Sequence, residues 1–422
     1  MITADEIRRS AEQYDCFYLY EEKVLLDRIG TLVREFPYTH FLYSLKANDN
    51  QAVTATILRH GFGADCASPV EVQRAEAYDV PKEEIIYCAP GKTERNIRET
   101  MNRCILIADS VGEVERISRI AAEKGVKAMI GLRIDPEYNY EEENDDTVPH
   151  KLGIEYSQVK EHLKDWMADP NLDLLGIHVH LHSQELDWER LDAYHDAVLA
   201  LADELIEDYD FPMSFLNVGS GIGIAYSRRD EGCDVEALGQ SLTEKWQEFS
   251  QRHPDVELFM ETGRYLTGKA GLYVTKVIDR KTSRGKNYII LAGTLNGFAR
   301  PVLSRIITQY AGGYSDVPSE PIFTKTDAFP LWCVSGDGRK IEEREKVTMA
   351  GNLCTANDII AEDIEFRKLL PGDLVVIRNA GAYSSVVTPM QFCSLPRPAQ
   401  IMIREDDQRA LLEQKEKYAS IV

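Results

Sequence analysis

The feature that most constrains the fold is a regular alternation of short β-type runs with amphipathic helical patterns over residues 41–263. The polar segments between the runs, such as GEVERISRIAAEKG, carry apolar residues at three- and four-residue spacing. Eight strands with intervening helices over about 220 residues match the size and rhythm of a (β/α)8 barrel. A doubly wound open sheet would give the same alternation and stays open as an alternative. The eight runs are FLYSLK (41–46), FGADC (62–66), EIIYCA (84–89), CILIAD (104–109), KAMIGLRI (127–134), LLGIHVHL (174–181), SFLNVG (214–219) and ELFMETG (257–263).

The rhythm changes after residue 266, where strand-like runs follow one another without long helices between them. These runs are GLYVTKVIDRK, NYIILAG, KVTMAGN and DLVVIRNAGAY, and the PGD at 371–373 is a turn signal. We therefore expect a second, mainly antiparallel β domain, which the strand-like FYLYEE at 17–22 joins. The predicted division is an α/β barrel over residues 25–265 and a β domain made of residues 1–24 plus 266–422.

The charge, the apolar runs and the cysteines of the sequence argue against several classes of partner and location. Asp and Glu number 70 against 48 Lys and Arg, and the resulting charge of −22 disfavours nucleic acid and anionic membranes as partners. No run of eighteen apolar residues is present, and the polar N-terminus lacks the apolar core of a signal peptide. The eight scattered Cys include no C-x-x-C, which favours free thiols in a reducing cytoplasm.

Candidate functional residues gather where the predicted strands end, as they do in barrels of this type. Lys46 ends an apolar strand, so we expect it to point into the barrel mouth. Desolvation there would lower its pKa and make the amine a nucleophile toward aldehydes. A solvated surface lysine is the alternative, and it is favoured when Lys46 is taken alone. The other strand ends supply Asp65, Arg133, His180, His182, Gly219 and Glu261.

The GSGIG at 219–223 indicates a phosphate site, because closely spaced glycines let backbone N–H groups approach an anion, helped by any following helix dipole. Phosphate sites after the seventh and eighth strands recur in such barrels. Arg264 in ETGRY would add a cationic contact. Glu261 facing a pyridine nitrogen would keep that nitrogen protonated. A salt bridge from Glu261 to Arg133 or Arg264 is an equal alternative.

The HVHLHS at 178–183 places three histidines on one face of a strand. One alternative is a metal site, as in a barrel metallohydrolase that uses His180 and His182. The other strand ends supply a lysine, an arginine and a glycine loop, so a histidine stacked on an aromatic cofactor fits better. His178 is expected to pack inside the barrel.

Lys46, the glycine loop and Glu261 together resemble the pyridoxal phosphate (PLP) enzymes of the alanine-racemase-like fold (fold type III). More closely, the chain resembles the diaminopimelate and ornithine decarboxylases. The resemblance implies PLP-dependent decarboxylation of an amino acid at its α-carbon. It is carried by FLYSLKAN (41–48), FGADCASPVEVQRA (62–75), KLGI (151–154), GIHVHLHSQ (176–184), GSGIG, ETGRYL, RP (300–301), GNLCTANDII (351–360), GAY (381–383) and PRPAQIMI (396–403).

The resemblance also implies residue roles. Lys46 would hold PLP covalently, His180 would stack on its ring, and Glu261 would pair with the ring nitrogen. Cys354 would come from the partner in a head-to-tail homodimer and reprotonate the α-carbon, although a small buried thiol is the alternative. Asp65 and Arg133 would support the cofactor from beneath. The phosphate contacts would be Ser183, Gly219, Ser220, Gly221, Arg264 and Tyr383.

Departures from the family pattern bear on the substrate. Diaminopimelate and ornithine enzymes have an acidic residue after the catalytic cysteine, which binds the distal ammonium of the substrate, whereas this chain has Thr355. A buried ammonium without its carboxylate would lose several kcal/mol. We therefore expect a small-molecule or carrier-tethered amino acid without a free distal amine, such as the conjugated diamino acids of siderophore assembly. Arg300 is a candidate for binding a distal carboxylate, with a surface salt bridge as the alternative. Tyr383 is a further substrate contact.

Other departures leave the reaction unchanged. His182 stands where the family has glycine, and ETGR replaces E-P-G-R. Racemases of this fold place an arginine opposite the ring nitrogen, so Glu261 argues against racemisation. A diaminopimelate- or ornithine-type decarboxylase of primary metabolism remains an alternative. A catalytically inactive homologue is a further one, against which the presence of Lys46, Glu261 and Cys354 speaks.

Overall fold

The computed structural model describes residues 2–136, 151–181, 183–310, 327–404 and 409–411. The chain starts with helix α1 (Ala4–Ala11) and strand β1 (Cys16–Glu21) and then enters a parallel barrel. The strands of this region are β2 (Thr39–Ser44), β3 (Gly63–Cys66), β4 (Ile85–Cys88), β5 (Ile105–Ala108), β6 (Ala128–Asp135), the short β7 (Ile154–Glu155), β8 (Leu172–His178), β9 (Phe215–Asn217) and β10 (Glu257–Thr262).

All eight predicted barrel strands form, and they close on themselves. The sheet runs β5-β4-β3-β2-β10-β9-β8-β6, and β5 also pairs with β6. Every one of these pairings is parallel. The β5–β6 pairing confirms the closed barrel and excludes the open doubly wound sheet.

The helices lie where the apolar spacing predicts them, and polar side chains set many of their starts. Asn50, Ser68, Thr93 and Ser110 each accept a backbone N–H from the first turn of the helix that follows. The helices are α2 (Glu22–Glu35), α3 (Gln51–Leu58), α4 (Pro69–Glu76), α5 (Glu94–Thr100), α6 (Val111–Lys124), α7 (Tyr156–Ala168), α8 (Trp188–Tyr209), α9 (Val235–Arg252) and the one-turn α10 (Arg264–Thr267).

The interior of the barrel contains an apolar layer in which two glycines leave space for a phenylalanine ring. Phe215 and Phe259 stack there with ring centroids 5.4 Å apart. A Cβ at Gly131 or Gly176 would come within 2.8 Å of the Phe215 ring, so only glycine fits at either position. Because side chains on a strand alternate in direction, the residues two positions further along the same strands also face inward. That second layer is polar, and it forms the floor of the site described below.

The second sheet is mainly antiparallel and contains β1, as predicted. β1 pairs with β11 and β17, so the N-terminal strand belongs to this sheet and not to the barrel. Parallel pairing occurs between β1 and β17 and between β12 and β14. The further elements are β11 (Gly271–Ser283), β12 (Lys286–Leu291), helix α11 (Arg300–Tyr310), β13 (Leu331–Val334), β14 (Arg344–Gly351), β15 (Ile359–Arg367), β16 (Leu374–Ile377), β17 (Ala399–Ile403) and β18 (Arg409–Leu411).

The expectation that this region lacks a long helix was wrong, because α11 spans eleven residues between β12 and β13. The domain limits at 24/25 and 265/266 stay a prediction. The last barrel strand ends at Thr262, and the first long strand of the second sheet begins at Gly271. All eight cysteines are free thiols. No helix in the described residues is long and apolar enough to cross a membrane.

Candidate active site

Lys46 lies just beyond the end of β2, in a single 3₁₀ turn over Leu45–Ala47. Its Nζ donates to Asp65 Oδ2 at 2.8 Å, and its side chain is 41 % exposed because the barrel mouth is open above it. Burial lowers the pKa of Lys46, but the Asp65 and Glu261 carboxylates outweigh that effect and hold it well above its usual value. The lowered pKa expected from desolvation was therefore wrong. The amine is held as a cation.

A buried polar layer forms the floor beneath Lys46. Ser44 donates to Asp65 at 2.7 Å on one side of the barrel. Burial raises the pKa of Asp65, and Lys46 opposes that shift. Each layer member lies two positions after an inward-facing residue of the apolar layer. The members are Ser44, Asp65, Cys88, Asp109, Arg133, His178, Asn217 and Glu261, and all are buried.

Glu261 is paired inside the barrel with His178. His178 Nε2 lies 3.1 Å from Glu261 Oε1, and Asn217 Nδ2 donates to the same oxygen at 3.2 Å. Burial lowers the pKa of His178, but Glu261 overrides it and raises the value to about 9. In return, the His178 cation outweighs the effect of burial on Glu261 and holds the pKa of that carboxyl well below its usual range. The pair is thus charged at neutral pH.

These contacts decide two expectations for this region. His178 does lie in the barrel interior, as predicted. The alternative in which Glu261 forms a salt bridge with Arg133 or Arg264 was wrong, because its ionic partner is His178. Arg133 instead donates to the His180 carbonyl at 3.2 Å, and its Nη1 lies 3.9 Å from Asp109. Arg133 therefore supports the backbone that carries His180.

His180 is fixed by the glycine turn that follows β9. Ser220 N–H donates to His180 Nδ1 at 3.3 Å, so that nitrogen carries no proton. Burial lowers the pKa of His180 to about 3, and the ring is neutral. Gly219 has φ +63°, and a Cβ there would lie 2.6 Å from His180 Nδ1. Glycine is thus required at 219 both for its backbone conformation and for the close approach of this ring.

The turn itself is held by residues 184–185 rather than by a helix. Glu185 N–H donates to the Gly221 carbonyl, and Gly223 N–H donates to the Glu185 carbonyl, both at 2.8 Å. The next helix of the barrel, α9, begins only at Val235. The expected help from a following helix dipole was therefore wrong, because that effect is confined to the first turn of a helix.

Arg264 lies beside this turn at the start of α10. Its Nη1 donates to the Tyr226 hydroxyl at 3.1 Å, and its Nη2 donates to Ser183 Oγ at 3.4 Å. The guanidinium also lies 4.7 Å from the centroid of the Tyr383 ring. One pocket is lined by Lys46, His180, Ser183, Ser220, Gly221, Glu261, Arg264 and Tyr383 together. The structure thus gathers most of the residues that the sequence singled out.

The segment that follows β16 contributes Tyr383 to the pocket. Tyr383 N–H donates to the Ala47 carbonyl at 2.7 Å, next to Lys46, and Asn48 Nδ2 donates to the Gly381 carbonyl at 2.8 Å. Arg300 is buried, and its Nε donates to the Tyr383 carbonyl at 2.8 Å. Arg300 is therefore not a surface residue, and it lies directly behind the wall of the pocket.

Cys354 and Thr355 do not line this pocket in the single chain. They lie after β14 in a loop held by Asp358, which accepts N–H groups from Leu295 and Leu353. Cys354 is exposed, so the alternative of a small buried thiol was wrong. An exposed thiol that does not line the pocket of its own chain is available to a second copy of the chain.

The metal alternative loses support at His180. His182 lies outside the described residues. His180 Nδ1 accepts a backbone N–H, and neighbouring His178 is paired with Glu261. Within the described residues, the acidic and histidine side chains close enough to hold an ion are Asp203, Glu207 and His253, away from the strand ends, and Arg252 already pairs with Asp203.

Sequence reasoning missed several members of the site. Asn217 both orients Glu261 and accepts the Gly219 N–H at 2.9 Å. Tyr226 braces Arg264, and Cys88 Sγ lies 3.5 Å from His178 Nδ1. The two-residue alternation behind the inward-facing apolar residues would have found Asn217 and Cys88. No local pattern points to Tyr226.

Comparison with known proteins gives a consistent picture. Residues 23–268 match the family model described as the pyridoxal-dependent decarboxylase, pyridoxal binding domain. An L-glutamyl-[BtrI acyl-carrier protein] decarboxylase of Niallia circulans is 29% identical over 92% of this chain and 88% of its own length. A 2-[(L-alanin-3-ylcarbamoyl)methyl]-2-hydroxybutanedioate decarboxylase of Staphylococcus aureus is 26% identical over 92% and 94%.

Solved structures share the fold. Diaminopimelate decarboxylase from Helicobacter pylori, complexed with L-lysine, superposes with a TM-score of 0.78 at 23% identity, over 96% of this chain and 95% of that one. The likeness confirms the alanine-racemase-like pairing of a closed barrel with a mainly antiparallel sheet.

Proposed function

Because the chain belongs to the pyridoxal-dependent decarboxylases, we propose that it decarboxylates the α-carbon of an amino acid whose distal end is conjugated and carries no free amine. The observation that carries the reaction is the pocket that joins Lys46, His180, the glycine turn, Glu261 and Arg264. The proposed substrate class rests on Thr355, whose side chain has no negative charge to bind a distal ammonium.

The side chains present fit PLP group by group. The Lys46 amine suits an aldehyde, and the Gly221 backbone N–H with the Ser183 and Ser220 hydroxyls and Arg264 suits a phosphate. PLP, when bound, supplies the electron sink that lets the bond between Cα and the carboxylate break. Glu261, kept ionised by His178, would hold a proton on the pyridine nitrogen.

The remaining steps belong to the chain's own residues. His180 presents a neutral ring, held in orientation by Ser220 N–H and by Arg133 on its carbonyl. Asp65 keeps the free Lys46 amine protonated until a ligand displaces that contact. Cys354 of a second copy would then deliver a proton to the α-carbon. A homodimer with shared sites is therefore part of the proposal, as is a reducing, cytoplasmic location for the free thiols.

Two relatives support the substrate class. The names of the Niallia and Staphylococcus decarboxylases describe a glutamyl group tethered to a carrier protein and an amino acid joined through a carbamoyl link. Neither name describes a free distal amine. In this chain, Arg300 lies behind Tyr383 and is a candidate to bind a distal carboxylate through a modest shift.

Cofactor attachment is tested by borohydride treatment of the PLP-loaded protein, followed by peptide mass mapping. We expect a pyridoxyl label on Lys46 and no label in Lys46→Ala. A label on another lysine, or none at all, would refute the proposed chemistry.

The substrate class is tested with a matched pair, ornithine and Nδ-acetylornithine, which share a carbon skeleton and differ in distal charge. We expect kcat/KM for CO2 release to favour the acetylated compound by about 100-fold, the scale of an unpaired buried charge. Thr355→Glu should reverse the preference, and the control Asn352→Asp, an exposed position before Cys354, should not. Ordinary turnover of ornithine or meso-diaminopimelate by the unmodified enzyme would contradict the proposal.

A further inference from the structure

A second cleft, of about 800 Å³, shares no lining residue with the pocket at Lys46. Its walls come from β13, from the ends of β14 and β15, and from the barrel loop that carries Arg228 and Arg229. This size is in the range of sites for drug-sized ligands. None of its residues is used in the proposed reaction.

The lining is strongly cationic although the chain as a whole is acidic. Five arginines face the cleft, against the single carboxylate of Asp327, whereas the chain carries a net charge of −22. Asp327 accepts from Ser227 Oγ at 2.6 Å. One of the five, Arg339, is paired with Asp337 and the buried Asp373. The other four are Arg228, Arg229, Arg344 and Arg367.

Two of these arginines lie opposite each other on adjacent strands. Arg344 of β14 and Arg367 of β15 are register partners in an antiparallel pair. Like charges directly opposite in such a pair are destabilising. Neither guanidinium is neutralised by a carboxylate among the described residues, since Arg344 donates to the Glu365 carbonyl and Arg367 to the Glu342 carbonyl, at 2.8 and 2.9 Å. A bound anion would relieve this repulsion.

The same cleft offers an aromatic surface. Trp332 and Phe366 line the cleft and are only partly buried. The guanidinium of Arg378 lies 5.6 Å from the centroid of the Trp332 ring. Guanidinium groups bind phosphate and carboxylate through paired N–H donors, and a partly exposed indole can stack on a planar ring. A ligand that satisfies both must carry at least two anionic groups and a flat apolar body.

We propose that this cleft is a binding site for an organic polyanion of the nucleoside diphosphate class, with its phosphates between Arg344 and Arg367 and its ring on Trp332. The site is separate from the decarboxylation pocket and does not depend on the proposed substrate. The arginine pair supplies affinity for the anionic groups, and the indole selects a ligand with a ring over a simple ion.

The test is calorimetric titration of the PLP-loaded enzyme, whose cofactor phosphate site is filled, with ADP, inorganic pyrophosphate and adenosine. We expect saturable ADP binding that weakens with added NaCl, because exposed charges are screened. Pyrophosphate should bind about tenfold more weakly, the equivalent of one lost stacking contact, and adenosine should give no saturable heat. Trp332→Ala should weaken ADP without changing pyrophosphate.

The double variant Arg344→Gln/Arg367→Gln should bind ADP at least about tenfold more weakly. The matched control Arg59→Gln removes an exposed arginine at the end of α3 and should bind as the unmodified protein does. Decarboxylation by the double variant should be unchanged, which shows that it is folded and separates this inference from the proposed reaction. No saturable ADP heat at millimolar concentration, or equal ADP affinity in the double variant, would overturn the proposal.

Discussion

At the scale of the single residue, the chemistry of the site depends on which side chains stay ionised in the buried polar layer of the barrel. Glu261 and His178 are 4 % and 1 % exposed, and each holds the other ionised. A buried carboxylate alone would be protonated more readily, because burial disfavours the charged form. The reaction that needs Glu261 ionised therefore depends on a histidine that does not itself line the pocket and acts through its contact with Glu261.

The raised pKa of His178 makes a prediction about stability and pH. His178 has a pKa of about 9 in the folded chain against 6.5 for an ordinary histidine, so its contribution is full below pH 6.5 and is lost as pH rises through 9. We expect the free energy of unfolding to fall by about 3 kcal/mol more across this window in the unmodified protein than in His178→Asn, at about 1.4 kcal/mol for each pKa unit.

Urea unfolding at several pH values measures this difference. In the same variant, the acid limb of kcat should move to higher pH, because Glu261 loses the cation that keeps it ionised. Exposed His60, changed to Asn, is the control. Identical pH slopes for the unmodified protein and His178→Asn would show that the pair carries no such coupling.

A second prediction at this scale concerns Gly219. In Gly219→Ala, the added Cβ would meet His180 Nδ1 and the Val179 carbonyl, both at 2.6 Å, in a backbone conformation with φ +63°. We expect PLP affinity to fall by about tenfold or more and stability to fall by about 1–2 kcal/mol. Absorbance titration with PLP and thermal melting measure the two effects. Gly61→Ala shares the positive φ without a close contact and should lose stability alone.

At the scale of the element, a buried ion pair joins the ends of neighbouring barrel strands. Lys92 and Glu113 are 0 % and 1 % exposed, with Nζ and Oε2 3.3 Å apart. Lys92 Nζ also donates to the Ala89 carbonyl after β4 and to the Ile107 carbonyl within β5. Glu113, in the first turn of α6, accepts the backbone N–H groups of Lys92 and Asp109. One pair thus fixes two loops and a helix start.

Breaking this pair should be costly because the remaining charge stays buried. We expect Lys92→Met to reduce the free energy of unfolding by about 3–5 kcal/mol, and Lys92→Met/Glu113→Leu to recover part of that loss. Chemical denaturation measures both variants. Lys82→Met, which removes an exposed lysine, is the control. A single variant as stable as the double would contradict the interpretation of Lys92 and Glu113 as a dependent pair.

At the scale of the whole molecule, the position of Cys354 makes a prediction about assembly. Cys354 is exposed and does not line the pocket of its own chain, so we expect active sites to form between copies. Lys46→Ala and Cys354→Ala should each be inactive. Refolding an equal mixture of the two should restore up to about a quarter of full activity, because half of the dimers are mixed and each has one intact site.

The control is a mixture of Lys46→Ala with Glu261→Gln. Both residues line the pocket of the same chain, so exchange of subunits creates no intact site. CO2 release from the mixtures, read beside their size by light scattering, distinguishes the cases. Failure of the first mixture to regain activity while forming dimers would place Cys354 outside the shared site.

The pattern of the chain predicted the barrel well because its information is local. Strand runs, apolar spacing at three and four residues, and polar caps such as Asn50 and Ser68 act within a few residues. Repeated over eight strand-and-helix units, these signals were compatible with a closed barrel and with a doubly wound open sheet. The resemblance to known enzymes favoured the barrel. Strand ends then identified Lys46, His180 and Glu261, since any such barrel brings strand ends to one face.

The tertiary structure alone decided which groups share a buried environment. The partner of Glu261 is His178 rather than an arginine, and Lys46 is held charged by Asp65, because folding brings side chains from different strands within 3 Å or so in a medium that screens charge poorly. The opposed Arg344 and Arg367 likewise exist only in the register of two strands. The sequence determines which residue stands at each strand end. The ionisation state of that residue and its contacts follow from closure of the sheet.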